Sequence, residues 1–419
     1  MVLDQHPLGS SIVEPDSPPA EYDVAIVGGG IVGLTLACAL KNSGLRIALI
    51  EAKPRFAGLS QRRAYHISLL SGRILSGLGL WEQVLPQITT FEQIHLADAD
   101  CPAIVELQRQ DLGTTALGYV AEHHVLLQAL QTALETATNV EWICPATVVQ
   151  ADYQPDRVWL TVSQDGQATC LAARLLVAAD GARSPIRQQA GISTSGWQYW
   201  QSCITTVIRP EKSHQAIARE HFWASGPFAT LPLPDNRCQI VLTAPHAEAQ
   251  ALMAVDEAAF LAELERRYDG ALGKLTLESK RSLFPVQLMH SDRYTQSRLA
   301  LIGDAAHCCH PVGGQGLNLG IRDAAALAQI ILAARDRGED WGEVRILRRY
   351  ERWRKLENLT ILGFTDLLDR CFSTGWWPLV ALRRLGLRVM RQLWPLRFVA
   401  LRLMTGLGGR HPRLARRKA

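Results

Sequence analysis

One short stretch settles most of what this chain can fold into: YDVAIVGGGIVGLTLACALKNSGLRIALIEA, residues 22 to 52. Tyr22 to Val27 is a β-rich apolar run, Ile31 to Lys41 has helical periodicity, Gly44 supplies a stop, and Arg46 to Ile50 is a second strand pattern. Strand, helix and strand in that order make a βαβ unit and predict a parallel sheet in an α/β protein. The turn into the helix reads Gly28-x-Gly30-x-x-Gly33. The first glycine permits a tight turn, the second lets a pyrophosphate approach the backbone, and the third lets helix and strand pack closely. Unpaired N–H groups at the helix start then face the phosphates. Glu51 closes the second strand, 18 residues after Gly33, where a carboxylate can accept hydrogen bonds from ribose hydroxyls. It would repel a 2′-phosphate, so the unit suits FAD or NAD rather than NADP.

Beyond this unit, residues 120 to 138 read as a helix and 139 to 179 as several strands with loops. Between about 197 and 288 the pattern alternates, as in QSCITTVIRP and NRCQIVLTAP, with a helix-like insert at Asp256 to Tyr268. Such a mixed segment need not share the first sheet. SRLALIGD returns to the Rossmann pattern, and from Trp341 onward only helices follow, broken at Pro378 and Pro395. Residues 1 to 20 have neither the basic nor the apolar region of a secretory signal, and their four prolines suit a disordered arm. The nine cysteines are scattered without a CxxC pair, which suits free thiols in a reducing compartment.

Two further motifs carry chemistry. In LLVAADGARSPIRQQAG, Asp180-Gly181 ends an apolar strand, and Arg183, Ser184 and Arg187 follow at helical spacing. In GDAAHCCHPVGGQGLNLGIRDAAALA, residues 303 to 328, a strand end runs through a glycine-rich loop into a long apolar helix. His307, Cys308, Cys309 and His310 raise a metal reading. Four consecutive residues cannot all turn to one tetrahedral ion, and no second cluster supplies ligands, so no metal is expected. The loop reads instead as a cradle for an anionic group.

Together the three motifs closely resemble, in order, the fingerprints of the class A flavoprotein aromatic hydroxylases, the para-hydroxybenzoate hydroxylase fold. LGYVAEHHVLLQAL, GPFATLPLP and LMTGLGGRHPRLAR are similar to the ubiquinone-biosynthesis branch of that family. The resemblance implies a Rossmann-type FAD-binding domain over 21–90, 118–190 and 289–350. It also implies a mixed-sheet substrate domain over 91–117 and 191–288, and a C-terminal helical region over 351–419. Cofactor-binding roles follow by position for Gly28, Gly30, Gly33, Glu51 and Asp180. Arg63 would contact the cofactor phosphates, Asp304 the ribityl chain, and Gly303 would let the strand end come close. Pro311 and the loop through Gly314, Gln315 and Gly316 would pass over the isoalloxazine. The backbone of Leu317 and Asn318 would face its pyrimidine edge, where a helix N-terminus favours negative charge. His66 stands where the family usually has a small residue.

The activity implied is hydroxylation of an aromatic ring through a flavin C4a-hydroperoxide, with O2 as oxidant and NAD(P)H as a transient co-substrate; no second GxGxxG is present to hold it. No catalytic acid or base is identified. His66, His123 and His221 are candidates only because His titrates near neutrality. Rival readings are a prenyl reductase, an epoxidase or a halogenase on the same scaffold, or a non-catalytic flavin-bound assembly protein.

Charge narrows the substrate class. The formal net charge is +4, yet Arg370 to Ala419 holds 12 Lys and Arg and no acid, leaving 32 basic against 40 acidic residues elsewhere. Leu382, Leu385, Val389, Leu393, Leu396, Ala400 and Leu403 repeat at three and four, with Arg384, Arg388 and Arg391 off that stripe. A helix packed on the body explains the apolar stripe; a helix in an anionic membrane interface explains stripe and cations together. The expectation is a cytoplasmic enzyme held peripherally on the membrane surface, acting on a prenylated phenol or quinone precursor, with no nucleic-acid partner.

Overall fold

A computed structural model describes residues 20–61, 63–98, 104–268 and 270–416. The arm expected at 1–20 lies outside these residues, except that Ala20 opens the first strand. The main elements, in chain order, begin with β1 (Ala20–Val27), α1 (Ile31–Leu40), β2 (Ile47–Ile50), β3 (Gln93–Asp98), β4 (Val140–Ile143) and β5 (Gln167–Ala178). Then follow β6 (Thr194–Pro210), β7 (Ile217–Trp223), β8 (Gly226–Leu233), β9 (Arg237–Pro245), β10 (Ser282–Ser291) and β11 (Leu299–Leu301). Four long helices close the chain: α2 (Gly316–Arg335), α3 (Val344–Phe372), α4 (Trp377–Gln392) and α5 (Trp394–Met404).

The parallel sheet predicted from the βαβ unit is present. It runs β11, β5, β1, β2, β4, with all four pairings parallel and registers such as Val24↔Leu175 and Val24↔Ile47. The central parts of its strands are apolar runs because helices cover it, and Val24, Ile26, Ile47 and Leu49 are fully buried. The alternating segment forms a separate nine-stranded sheet in which β6, β9, β8 and β7 pair antiparallel. β3 joins it by parallel pairing to β7, with Leu96 opposite Glu220. The helix expected at Asp256 to Tyr268 runs Glu257–Arg267, capped by the Asp256 carboxylate on the Ala259 N–H. Pro378 and Pro395 fall in the first turns of α4 and α5, where their missing N–H costs no helical bond.

α2 is the central post. Its Asp323 is fully buried, and one carboxylate oxygen accepts from the Gly303 N–H at 3.1 Å and meets His307 Nε2 at 2.6 Å. The other accepts from Arg354 Nε at 2.8 Å and Asn358 Nδ2 at 3.1 Å. Burial alone would push this carboxyl up, but His307 and Arg354 outweigh it and hold its pKa at about 2. The carboxylate thus contributes stability that is full above the unfolded-state value and is lost as pH falls through the folded one, between about pH 4 and pH 2. Asp323→Ala should cost about 3–5 kcal/mol in urea unfolding at pH 7, because it removes the buried partner of Arg354 Nε, Asn358, His307 and the Gly303 N–H together, and that deficit should shrink at pH 3.

Candidate functional site

The site lies at the carboxyl ends of β1, β5 and β11, where an open α/β sheet gathers its ligand-binding loops. Gly28 has φ +112°, and a Cβ there would sit 2.3 Å from the Ala179 carbonyl oxygen. A Cβ on Gly33 would lie 2.0 Å from the Gly28 carbonyl oxygen, so neither position admits a side chain. Above Gly30, the residue before α1, nothing lies within 4 Å of a built Cβ. No side chain caps α1, leaving its first N–H groups free to meet an anion there. Glu51 accepts from the Gly29 N–H at 2.6 Å and from the Lys53 N–H at 2.9 Å. Each carboxylate oxygen keeps a second lone pair for a hydroxyl.

The other two motifs close on this turn. Asp180 receives the Ile186 N–H on one oxygen, while its second oxygen is buried without a partner. Its carboxyl is raised by burial. Ser184 caps the short helix after it, and Arg187 ties that helix to the Ala305 carbonyl at 2.9 Å. Gly303 has φ +60° and packs on Val32 of α1, the contact that brings the third motif against the first. Asp304 is exposed to solvent, and the surrounding protein still raises its carboxyl, partly offset by His307 and Arg63. Arg63 is exposed, and its guanidinium lies over the Phe284 ring at 4.8 Å.

The loop from Pro311 to Gly316 is held from both sides. A Cβ on Gly314 would meet that of His66 at 2.9 Å, and His66 Nδ1 bonds the Gly313 carbonyl at 3.1 Å. His66 is buried against Phe91, and burial holds its pKa at about 4, so it is a neutral packing residue under the loop. Gln315 donates to the Gly313 carbonyl at 3.0 Å and to the Met404 carbonyl of α5 at 3.1 Å. Asn318 turns its side chain inward, donating to the His66 and Gly314 carbonyls and accepting from the Ser68 N–H at 2.8 Å. It therefore offers only backbone towards the cleft, as does Leu317 beside it.

The four residues of the metal reading diverge. His307 goes to Asp323, Cys308 to the Asp304 carbonyl, Cys309 packs against the cluster of Leu319 and Ile361, and His310 goes to Gln201 at 3.3 Å and Asp369 at 3.5 Å. His123 meets the Tyr65 hydroxyl at 3.2 Å. His221 lies on the face of β7 that packs against Tyr268. None of the three candidate histidines lines the cavity beside the loop.

That cavity, about 120 Å³, is walled by Val312, Gly313 and Gln315 of the loop, by Leu96, Glu220 and Phe222 of the second sheet, and by α3, α4 and α5. Its α3 wall includes Ile361, Phe364 and Phe372, and α4 and α5 add Leu387, Met390 and Leu403. Sequence reasoning missed Glu220. Its signal was there in the alternating run IAREHFW, where Ala218, Glu220 and Phe222 share the buried face of β7. A charged residue in the apolar register of a strand calls for a reason.

The C-terminal helices divide the expected apolar stripe and correct one expectation. Leu382, Leu385, Leu393 and Leu396 are 44–63% exposed, whereas Ala400 and Leu403 of the same stripe line the cavity. The face of α4 that docks is Arg383, Leu387 and Met390. The corrected expectation is that the cations have no acidic partners. Arg383 and Arg384 bind Asp98 at 2.9 and 3.0 Å, and Arg397 binds Asp111 at 3.0 Å. These acids come from residues far away in sequence, so a local count of charge could not find them.

Residues 21–361 match the family of FAD binding domains. An uncharacterised Synechocystis protein is 53% identical, with 94% of this chain and 95% of that protein aligned. Ubiquinone hydroxylase UbiL of Rhodospirillum rubrum is 38% identical (94% and 92% aligned), and the 3-demethoxyubiquinol 3-hydroxylase of Escherichia coli is 35% identical (92% and 98%). The fold is shared with p-nitrophenol 4-monooxygenase PnpA of Pseudomonas putida at a TM-score of 0.79, with 20% identity over 93% of this chain and 99% of that one. Uncapped helix ends, the open space at Gly30 and the orphaned Asp180 oxygen fit the cofactor that this family is built around. The chain belongs to the FAD binding domain family, in the ubiquinone-biosynthesis branch of the class A flavoprotein hydroxylases.

Proposed function

We propose that the protein is an FAD-dependent monooxygenase that hydroxylates the ring of a prenylated phenol or quinone precursor, using NAD(P)H and O2. One observation carries the substrate class: the cavity beside the Val312–Gln315 loop is apolar on nearly every wall and is completed by the C-terminal helices. Such walls suit an aromatic ring with an isoprenoid chain and exclude water from the reacting atoms. Bound FAD supplies the activation of O2 after reduction by NAD(P)H.

The chain's own residues do the holding. The Gly28–Gly33 turn and the start of α1 would receive the diphosphate, with Arg63 as a further cation for it. Glu51 would accept from the ribose hydroxyls and Asp304 from the ribityl chain. Asp180 would stand beside the diphosphate turn, with Gly303 keeping the strand end close to α1. The loop Pro311–Gly316 would orient the ring system. The backbone N–H groups of Leu317 and Asn318 would stabilise negative charge on its pyrimidine edge.

A membrane-surface location is part of the same reading. Trp376, Trp377, Leu382, Leu385, Leu393, Trp394, Leu396 and Val399 are all exposed, between 44% and 77%. Arg388 and Arg391 are exposed on the same helix. Among the described residues one helical stretch, Val312–Arg335, is long and apolar enough to cross a bilayer, and its most apolar 18 residues are 72% buried in the protein. Contact through the exposed faces of α4 and α5, lying in the interface, is therefore the form proposed.

Purified protein given NADH or NADPH, O2 and a short-chain prenylphenol should yield a product heavier by one oxygen atom, from labelled O2, in mass spectrometry. A reduced chain or a chloride-dependent product would replace this reading with a reductase or a halogenase. Asp304→Ala should weaken FAD binding by about 5- to 150-fold, equivalent to about 1–3 kcal/mol, in titrations of apoprotein; an unchanged dissociation constant would count against this placement of the loop. Liposome flotation should rise with anionic lipid and weaken only partly in high salt, and replacing Arg388 and Arg391 by Gln should lower it by up to about 1 kcal/mol per cation.

A further inference from the structure

Glu220 is 8% exposed and sits in the wall of the apolar cavity, next to Gly313 and between Leu96 and Phe222. The Gly313 backbone faces its carboxyl and favours the charged form, while its Oε1 is buried with no partner. A buried acceptor without a donor costs about 1–3 kcal/mol, so a structural role alone would not favour a carboxyl here. The charged and titratable groups on the surrounding elements are engaged elsewhere. Asp98 of β3 is held by Arg383 and Arg384 of α4, Asp369 of α3 takes the Ser373 hydroxyl and faces His310, and His66 bonds the Gly313 carbonyl. On the neighbouring β8, the residue opposite Glu220 is Ala229.

We infer that Glu220 is a catalytic base of the hydroxylation: its Oε1 takes the hydrogen bond, and then the proton, of the substrate's ring hydroxyl. This inference rests on the proposed substrate being a phenol. The step balances without a redox partner. The ring O–H bond breaks, an O–H bond to Glu220 forms, and the electron pair stays on the ring oxygen, leaving an electron-rich phenolate and a neutral acid. When the product hydroxyl is restored, the proton returns from Glu220. A neutral wall could bind the ring but could not activate it. A base in this place does so next to the loop that orients the cofactor. Burial pushes the Glu220 carboxyl up to about 7, which suits a group that must both take and give a proton near neutrality.

The test uses the FAD-loaded enzyme, a short-chain prenylphenol and its O-methyl ether, with Glu220→Gln and Glu220→Asp variants. Glu220→Gln keeps the shape and the Gly313 contact but cannot accept a proton. Its FAD content should match the parent's, its phenol dissociation constant should change less than tenfold, and its hydroxylation rate should fall by about 100- to 10,000-fold. The acidic limb near pH 7 in the parent's rate profile should vanish in Glu220→Gln, while Glu220→Asp should recover part of the rate and a shifted limb. A Gln variant with parental rate and pH profile would overturn the inference while leaving the proposed function standing. Equal turnover of phenol and methyl ether by the parent would overturn it as well. A parent that hydroxylates neither compound would overturn the proposed function, and this inference with it.

Discussion

One buried carboxylate organises the centre of the molecule. Asp323 holds the Gly303 turn with one oxygen and the long α3 helix, through Arg354 and Asn358, with the other. The turn begins the glycine-rich loop and α3 walls the cavity, so one side chain ties the loop to the cavity wall. Burying a charge is tolerable only when its hydrogen-bonding capacity is filled, and here four donors or ring nitrogens fill it. The glycine contacts act in the same direction. A Cβ on Gly320 would meet Val32 at 2.6 Å, so α2 and α1 approach until backbone nearly touches side chain. The three sequence motifs converge because these contacts leave them little freedom.

Much of this was legible in the sequence, for a physical reason. Gly28 and Gly33 are closed by backbone packed against them and Gly30 is left open, and the three-residue spacing of that pattern along one turn is what the sequence displays. The parallel sheet shows as unbroken apolar runs and the second sheet as alternation, because one is covered by helices on its faces and the other pairs antiparallel. What stayed hidden depends on partners far along the chain. Asp98 and Asp111 meet Arg383 and Arg397 across more than 280 residues, so the basic tail looked uncompensated. The apolar stripe read from Leu382 to Leu403 runs across two helices that part at Leu393, so it joins an exposed set of leucines to Ala400 and Leu403 in the cavity wall, and periodicity does not say which face docks. The docking face is centred on a buried arginine that a hydropathy pattern assigns to water.

Electrostatics divides the site into two regions with different tasks. Around Gly28, Arg63 and the starts of α1 and α2, exposed donors and a cation favour negative charge. Around Glu220 the walls are apolar, and the one ionisable side chain among them is a carboxyl that burial biases towards its neutral form. The loop between Pro311 and Gly316 separates these regions and touches both. Its conformation is set by Gly313 and Gly314 at positive φ and by Asn318 and Gln315 beneath it. The same loop can thus face an anion on one side and a desolvated ring on the other.

The chain end folds back onto the body. A Cβ on Gly77 would lie 2.0 Å from the Leu414 carbonyl oxygen, so the last described turn is seated on the helix Leu69–Gly77. α4 and α5 are consequently spanned between two fixed points, α3 before them and this seat after them. They form a bridge rather than a tail, with an outer face of exposed leucines and tryptophans and an inner face that lines the cavity. The two faces can drift independently under selection. Outward residues pack on nothing in the described protein and can be exchanged freely, while inward ones stay bound to the shape of the cavity. Deleting the bridge would remove both at once; only substitutions confined to one face separate what each does.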